Sequence, residues 1–353
     1  MLPGAQAEVT QKPFLEAMSN PGSLIVHGLV RLNEGKDASL PVPRIVKTLP
    51  YLIVTGNEDA NDPIHQDCPP VSSTSNTQMD IQLYLGKRLS KGNHHTVYTV
   101  NLSANEDVSS HPPRMVIKVS AEREGHRLAR EAAMYDYLKP LQGRVIPRCY
   151  GYFRCIVNLI ESVVTPWSPP HLTFPRDKSL FNIFRMPNAN ACLNILLLEY
   201  AGTPVDTHPS VSIDELRTEL TGMVNALSKL AVSHNDLFPR NVLCVDEQLV
   251  SSTGTPAAQS RTHGPVYKFR LIDLESASVD FSWRNENKRV KMLNRQGKSA
   301  IEGFIEELQD NRRHQLDHHK HSEDDVASDN GTQNEFEDEA EEIRSADGSD
   351  KDV

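Results

Sequence analysis

The order of secondary-structure signals predicts an α+β fold with two lobes: a small antiparallel β lobe, then a reduced, mainly helical lobe. Three alternating or β-branched segments predict the sheet: IQLYLGKRL, HTVYTVNL and RMVIKVS. Two long segments with the helical spacing of apolar residues follow. A chain of 353 residues with 38% hydrophobic content can bury one large core or two modest ones, which agrees with two lobes.

Residues 1–80 precede this sheet, and we expect them to form a partly disordered N-terminal extension. PVPRIVKTLPYLIVT could hold a strand, whereas NEDANDPIHQDCPPVSSTSNTQ has the polar, Pro-rich and Ser-rich composition of a linker. We expect residues 81–202 to form the first lobe and its connection to the second. Residues 203–321 would then form the reduced second lobe.

Helical spacing is clearest in two segments. In AEREGHRLAREAAMYDYLKPL, one face carries the apolar residues Leu128, Ala132, Tyr135 and Leu138. SIDELRTELTGMVNALSKLAVSH predicts a long amphipathic helix with Ser212 as its N-cap and Glu215 three residues on. Between them, NILLLEYAG predicts a buried strand that ends at Gly202, and a last helix is predicted over residues 285–315.

The acidic charge of the chain is concentrated in residues 322–353. This segment contains 13 Asp or Glu against two basic residues, so it carries a net charge of −11, and the rest of the chain carries +1. It has few large apolar residues, so burial cannot offset the entropy cost of ordering it, and we expect a disordered acidic tail. The tail either solubilises the chain or attracts a basic protein partner. Neither nucleic acid nor a membrane is an expected partner.

Cysteine usage and the N-terminal sequence indicate an intracellular protein. The five cysteines are scattered without a CxxC pair, and an odd number cannot all pair within one chain. We therefore expect thiols in a reducing compartment, the cytoplasm or the nucleus. MLPGAQAEVT lacks the pattern of a signal peptide, and no run reaches the about 18 apolar residues that span a bilayer.

The segment HNDLFPRNVLCV, residues 234–245, carries the strongest chemical signal. Phosphoryl transfer from ATP requires a cation on the phosphates, metal ligands, and a group that orients the attacking hydroxyl. Candidates for these parts occur along the chain: Asp236 for the hydroxyl, Asn241 and Asp273 for the metal, Lys118 for the phosphates, Glu131 to hold the lysine, and His234 to brace the loop. Each alone has a plainer interpretation, because lysine and glutamate are common on surfaces and Asp or Asn commonly cap turns.

Taken together, these segments resemble a protein kinase-like fold over about Ile81 to Ala277. VIKVS is similar to the VAIK strand, HNDLFPRN to the HRDLxxxxN catalytic loop, and IDLE to IDFG, while Glu131 matches the helix glutamate. The likeness is to atypical fungal-type kinase-like proteins. The catalytic loop is also similar to that of aminoglycoside and choline phosphotransferases.

The resemblance implies ATP and Mg²⁺ as cofactors and a hydroxyl group, on a protein or a small molecule, as the acceptor. Asp236, Lys118 and His234 would be the catalytic residues, and Asn241 and Asp273 the metal ligands. The nucleotide would contact Lys118, Glu131, Gly92 in the loop LSKGNHHTVY, and the backbone of Glu199 and Ala201 in the hinge LEYAG.

The sequence also departs from the kinase pattern at several positions. Ser90 and His95 stand at two of the three usual loop glycines, Asn235 replaces the arginine of the catalytic loop, Phe238 replaces a lysine, and Glu275 replaces the glycine after Asp273. Only a short segment follows, without the APE motif that helps to dock extended peptides. Two classes therefore stay open: an active phosphotransferase, or a pseudokinase that serves as a binding module.

Overall fold

Within the residues that the structure describes, the chain has a mixed α/β fold with a large, mostly antiparallel sheet and three α-helices. The structure is a computed structural model that describes residues 22–32, 36–45, 80–91, 95–102, 114–121, 125–158, 162–164, 190–245, 267–280 and 285–328. The described residues up to Leu308 belong to one compact unit, and those from Gln309 belong to a second.

The large sheet has eight strands. They are β1 (Ser23–Leu32), β2 (Asp37–Pro43), β3 (Asp80–Lys91), β4 (His95–Leu102), β5 (Met115–Ala121), β6 (Cys149–Asn158), β7 (Ser162–Val163) and β8 (Asn190–Glu199). Their order is β2-β1-β3-β4-β5-β8-β6, and β7 pairs with β1. β1 and β3 pair in parallel and the other neighbours are antiparallel.

The sheet curls around an apolar core so that its two outer strands approach each other. Just after β2, the backbone N–H of Ile45 donates to the carbonyl of Tyr152 on β6 at 2.8 Å. Side chains from β1, β3, β5, β6 and β8 fill the inside, with Leu24, Ile117 and Phe153 among those fully buried. The sheet is therefore larger than the small one that the sequence predicts.

The three helices are α1 (Gly125–Tyr137), α2 (Ile213–Lys229) and α3 (Glu286–Ser328), and each was predicted. On α1 the predicted apolar face is buried, including Leu128 and Tyr135. Ser212 caps α2 as expected, since its hydroxyl accepts a hydrogen bond from the backbone N–H of Glu215 at 3.4 Å. α1, α2 and the start of α3 share a second apolar core with one face of the large sheet, to which Val116 of β5 contributes.

Short strands hold the segments that carry the candidate site. β9 (Thr203–Pro204), β11 (Val242–Cys244) and β12 (Phe269–Leu271) form one small sheet, while β10 (Val232–Ser233) pairs with β13 (Ser278–Val279). β10 and β11 flank the loop 234–241, and β12 and β13 flank Asp273. The two pairings therefore bring that loop beside Asp273.

The predicted boundary at residue 81 needs correction. β1 and β2 come from the segment that was expected to be an extension, yet β1 pairs with β3 from Ser23↔Asp80 to His27↔Tyr84. These strands are part of the large sheet because their apolar side chains, such as Leu24 and Val26, fill its core. Of the expected strand at 41–55, the structure describes residues 41–45, where β2 ends.

The remaining expectations concern the tail, the cysteines and the membrane. α3 continues to Ser328, past the predicted start of the tail at Ser322, and residues 329–353 lie outside the described residues. The cysteines of the described chain, Cys149, Cys155, Cys192 and Cys244, are free thiols, and Cys68 lies outside it. None of the helices in the described ranges is both long and apolar enough to cross a membrane.

Candidate functional site

Lys118 of β5 and Glu131 of α1 form a buried ion pair. Val116 and Lys118 alternate with Ile117 along β5, so Lys118 points to the face of the sheet that α1 covers. Its Nζ lies 2.6 Å from Glu131 Oε2, and the side chains of Lys118 and Glu131 are only 7% and 1% exposed. The spacing of the apolar face of α1 places Glu131 beside Ala132 on the buried side of the helix.

Asp273 joins this pair from the far end of the sequence. It follows β12, and its Oδ1 accepts a hydrogen bond from Lys118 Nζ, also at 2.6 Å. Its backbone is left-handed, with φ 64° and ψ 61°, a conformation that Asp tolerates better than most residues. The structure therefore brings together Lys118, Glu131 and Asp273, which are far apart in the sequence.

The electrostatics of this cluster keep Lys118 cationic. Burial lowers the pKa of Lys118, but the carboxylates of Glu131 and Asp273 outweigh burial and raise it above its ordinary value. Burial raises the pKa of Asp273, but the nearby His95 ring and the ammonium of Lys118 bring it well below its ordinary value. Burial raises the pKa of Glu131, with the Lys118 ammonium opposing that shift.

Asp236 and Asn241 are joined within the loop 234–241. Asn241 Nδ2 donates to Asp236 Oδ2 at 2.8 Å and to the Asp236 carbonyl at 2.9 Å. Both bonds use the amide nitrogen, so they fix the orientation of the side chain and leave the amide oxygen as its cation-binding atom. The Asp236 side chain is 24% exposed, and Arg240 Nη2 lies 3.9 Å from its Oδ1.

Ile272 ties this loop to Asp273. Its backbone N–H donates to the Asn241 carbonyl at 3.0 Å, and its carbonyl accepts a hydrogen bond from His234 Nε2 at 2.9 Å. Burial lowers the pKa of His234, which favours the neutral ring with its proton on Nε2. His234 thus braces the loop, as the sequence predicts.

Asn235 gives the loop a second attachment. It adopts a left-handed backbone with φ 60°, and its Nδ2 donates to the Ser276 carbonyl at 3.0 Å and to Ser278 Oγ at 2.8 Å. A side chain that replaces arginine in the kinase pattern therefore fixes the loop to the segment that follows Asp273.

Glu199 and Ala201, expected in a hinge from the sequence, lie at and just after the end of β8. The Glu199 carboxylate accepts a hydrogen bond from the backbone N–H of Arg148 at 2.9 Å, and Ala201 is buried. Gly202 follows with φ 113°, and a Cβ there would lie 1.9 Å from the Cys244 carbonyl oxygen. This segment thus packs tightly on β11. Gly92 lies outside the described residues.

The sequence reasoning missed the contact between His95 and Glu275. His95 begins β4, and its Nε2 lies 3.3 Å from Glu275 Oε2 and 3.8 Å from Asp273 Oδ1. Arg127 Nη1 of α1 lies 4.0 Å from Glu275 Oε1. In the sequence, His95 and Glu275 stand out only as positions where the kinase pattern has glycine. Because the two residues are far apart along the chain, the sequence does not indicate that they meet.

A cavity of about 460 Å³ borders the loop 234–241. Its lining comes from α2, from the loop and from α3, and includes Leu227, Leu237, Phe238, Leu293, Ala300 and Phe304. It is mostly apolar. The Phe238 side chain is partly exposed, and the Arg240 guanidinium lies 4.3 Å from its ring centroid.

No protein-family model matches this chain, and no curated protein gives a significant match to it.

Proposed function

We propose that the protein is an ATP-dependent phosphotransferase with a two-lobed, protein kinase-like arrangement. The observation that carries the proposal is the meeting of Lys118, Glu131 and Asp273 from β5, α1 and the turn after β12, with 2.6 Å between Lys118 Nζ and each carboxylate. A buried lysine held by a helix glutamate beside an aspartate is what phosphate binding in this superfamily uses.

The donor set fits a magnesium nucleotide. Asp273 offers a carboxylate and Asn241 an oriented amide oxygen, and oxygen donors are those that Mg²⁺ prefers. When bound, Mg²⁺ would neutralise charge on the phosphates. Lys118, held cationic by its two carboxylate partners, would bind the phosphates directly.

Asp236 is the group that we assign to the acceptor. Asn241 holds its carboxylate, which is partly open to solvent, so it can orient an incoming hydroxyl and accept its proton. His234 and Asn235 fix the loop from two sides, which limits the motion of Asp236. The acceptor would be a small-molecule hydroxyl, or a protein side chain delivered by a partner, since the segment after Asp273 carries Glu275 and no APE motif.

A non-catalytic nucleotide-binding or pseudokinase role is the second candidate. The observation in its favour is that the side chains of His95 and Glu275 crowd Asp273, the proposed metal ligand. A site closed by these side chains would act as an interaction module rather than as a catalyst.

Turnover of γ-labelled ATP by the purified chain, with and without Mg²⁺, separates the two candidates. For an enzyme, Asp236→Asn should lower turnover by at least about 100-fold while nucleotide binding persists, because Asp236 acts on the acceptor and not on the donor. Asp214→Asn, at an exposed position on α2, is the matched control and should leave turnover unchanged. Nucleotide binding without any turnover would favour the pseudokinase, and turnover that survives Asp236→Asn would refute the assignment of the catalytic loop.

A further inference from the structure

A second set of donor atoms lies beside the proposed nucleotide site. One ligand atom each from His95, Asp273 and Glu275 can be chosen so that all three lie within 4.8 Å of one another. His95 comes from the start of β4, while Asp273 and Glu275 come from the turn after β12. Three donors from two separate segments thus face one point.

The spacing of these atoms suits a bound ion. Donors at about 2.1 Å from a tetrahedral ion are about 3.4 Å apart. His95 Nε2 lies 3.3 Å from Glu275 Oε2, which is close to that separation, and 3.8 Å from Asp273 Oδ1, the oxygen that also accepts from Lys118. The backbone of His95 is fixed, since it pairs with Ser120 of β5.

The charge around this point also favours a cation. Three carboxylates, those of Glu131, Asp273 and Glu275, come together here, with Lys118 and Arg127 as neighbouring cations. This concentration of carboxylates favours a cation. Asp273 shares one oxygen with Lys118, so a metal would approach its other oxygen or compete with the ammonium.

We infer that His95, Asp273 and Glu275 form a binding site for a divalent first-row transition metal, with Zn²⁺ and Mn²⁺ preferred over Mg²⁺. The ligand atoms indicate this class of metal, because an imidazole nitrogen is a good ligand for transition metals whereas Mg²⁺ prefers oxygen ligands alone. Zn²⁺ should bind more tightly than Mn²⁺, following the usual order of divalent affinities. The site shares Asp273 with the proposed nucleotide site but needs no nucleotide, so it can be tested apart from the proposed function.

The test is a titration of the nucleotide-free protein with Mn²⁺, followed by the electron paramagnetic resonance signal of the free ion. Zn²⁺ should displace the bound Mn²⁺. Displacement by Mg²⁺ should require a concentration at least about tenfold higher than displacement by Zn²⁺. His95→Gln and Glu275→Gln should each weaken Mn²⁺ binding by more than about tenfold. His314→Gln, at an exposed histidine of α3, is the control and should bind Mn²⁺ as the parent chain does.

A second readout does not depend on whether the variants fold. Pulsed electron paramagnetic resonance of the Mn²⁺ complex should reveal a coupled ¹⁴N nucleus from the imidazole of His95. No Mn²⁺ binding up to millimolar concentration, equal binding of Mg²⁺, or a complex without nitrogen coupling would each overturn the inference and leave an ion-pair network at this point. If MgATP still binds in that case, the proposed function survives, and if Mn²⁺ binds but nucleotide does not, only the proposed function fails.

Discussion

Replacing Lys118 by methionine should cost much more stability than removing a surface charge. The Glu131 carboxylate is only 1% exposed, and Lys118 supplies its ammonium partner. Removing one partner of a buried ion pair typically costs about 3–5 kcal/mol, because the remaining charge has neither water nor a counter-ion. We expect that magnitude for Lys118→Met in the free energy of unfolding.

The partners also predict an order among the variants. Glu131→Gln should cost less than Lys118→Met, because Lys118 would keep Asp273, whose side chain is 26% exposed and partly hydrated. The double variant Lys118→Met/Glu131→Gln should be at least about 1 kcal/mol more stable than Lys118→Met alone, since it leaves no buried charge at position 131. Urea unfolding of the four proteins measures this cycle.

The pH dependence gives a further check. In the folded parent chain the pKa of Glu131 is already above its ordinary value of 4.5, and the Lys118 ammonium limits that rise. In Lys118→Met the ammonium is gone, so burial raises the pKa of Glu131 more than it does in the parent. A carboxyl with a raised folded pKa takes up its proton more readily in the folded state. The stability gap between this variant and the parent should therefore narrow as pH falls from about 8 to about 5.5.

Lys229→Met, at an exposed position near the end of α2, is the control, and it should change stability by less than about 0.5 kcal/mol. A cost below about 1 kcal/mol for Lys118→Met, or a double variant less stable than that single variant, would refute the buried-pair reasoning.

Three other predictions follow from single contacts. MgATP should raise the melting temperature far more than ATP alone. At a nucleotide concentration about a hundredfold above the dissociation constant, the free energy of unfolding would rise by about 2.7 kcal/mol. A melting temperature that does not change with MgATP would exclude the nucleotide site. The pKa of His234 in the folded protein lies below its ordinary value of 6.5, so the free energy of unfolding should fall as pH drops below 6.5. The carboxylates of Asp236 and Asp273 act on the ring and reduce the lowering of its pKa. In His234→Gln the loss of stability that comes from this histidine should be absent. Gly202→Ala should lower the free energy of unfolding, measured in urea, by more than about 2 kcal/mol. The reasons are the φ of 113° and the Cys244 carbonyl oxygen, which would lie 1.9 Å from the added Cβ. No change in stability would show that the segment relaxes.

Two strands of the large sheet that the sequence did not predict, β1 and β6, have irregular pairing, although β3 was predicted despite register shifts of its own. In β1 the buried residues are Leu24 and Val26, then Leu29 and Val30, because the pairing with β2 shifts register between His27 and Val30. That shift breaks the period of two on which the sequence prediction depends. β6 was missed for a related reason: a register shift occurs near its start, and most of its residues are buried on both faces.

Part of the candidate site was also predictable. Lys118 and Glu131 lie on regular elements and Asp273 closely follows a strand, in a recognisable order, so their meeting could be expected from the sequence. The contacts of the loop 234–241 could not be expected, because they depend on backbone conformations such as the positive φ of Asn235. No residue pattern near His95 or near Glu275 indicates the other, since their contact depends on how β4 lies over the turn after β12.

His95 and Glu275 stand at two positions where the kinase pattern has glycine, and they contact each other. In that pattern, loop glycines let backbone amides approach the phosphates and neutralise their charge. Under the proposed function, the side chains of His95 and Glu275 would lie beside the phosphates, so charge neutralisation would come from Lys118 and from whatever cation His95 and Glu275 hold beside Asp273. Replacing His95 alone would remove the imidazole beside the half-buried Glu275 carboxylate, and replacing Glu275 alone would remove that carboxylate from the imidazole. The two departures are therefore best understood together, as one arrangement whose effect on phosphate binding is tested by changing His95 and Glu275 singly and jointly.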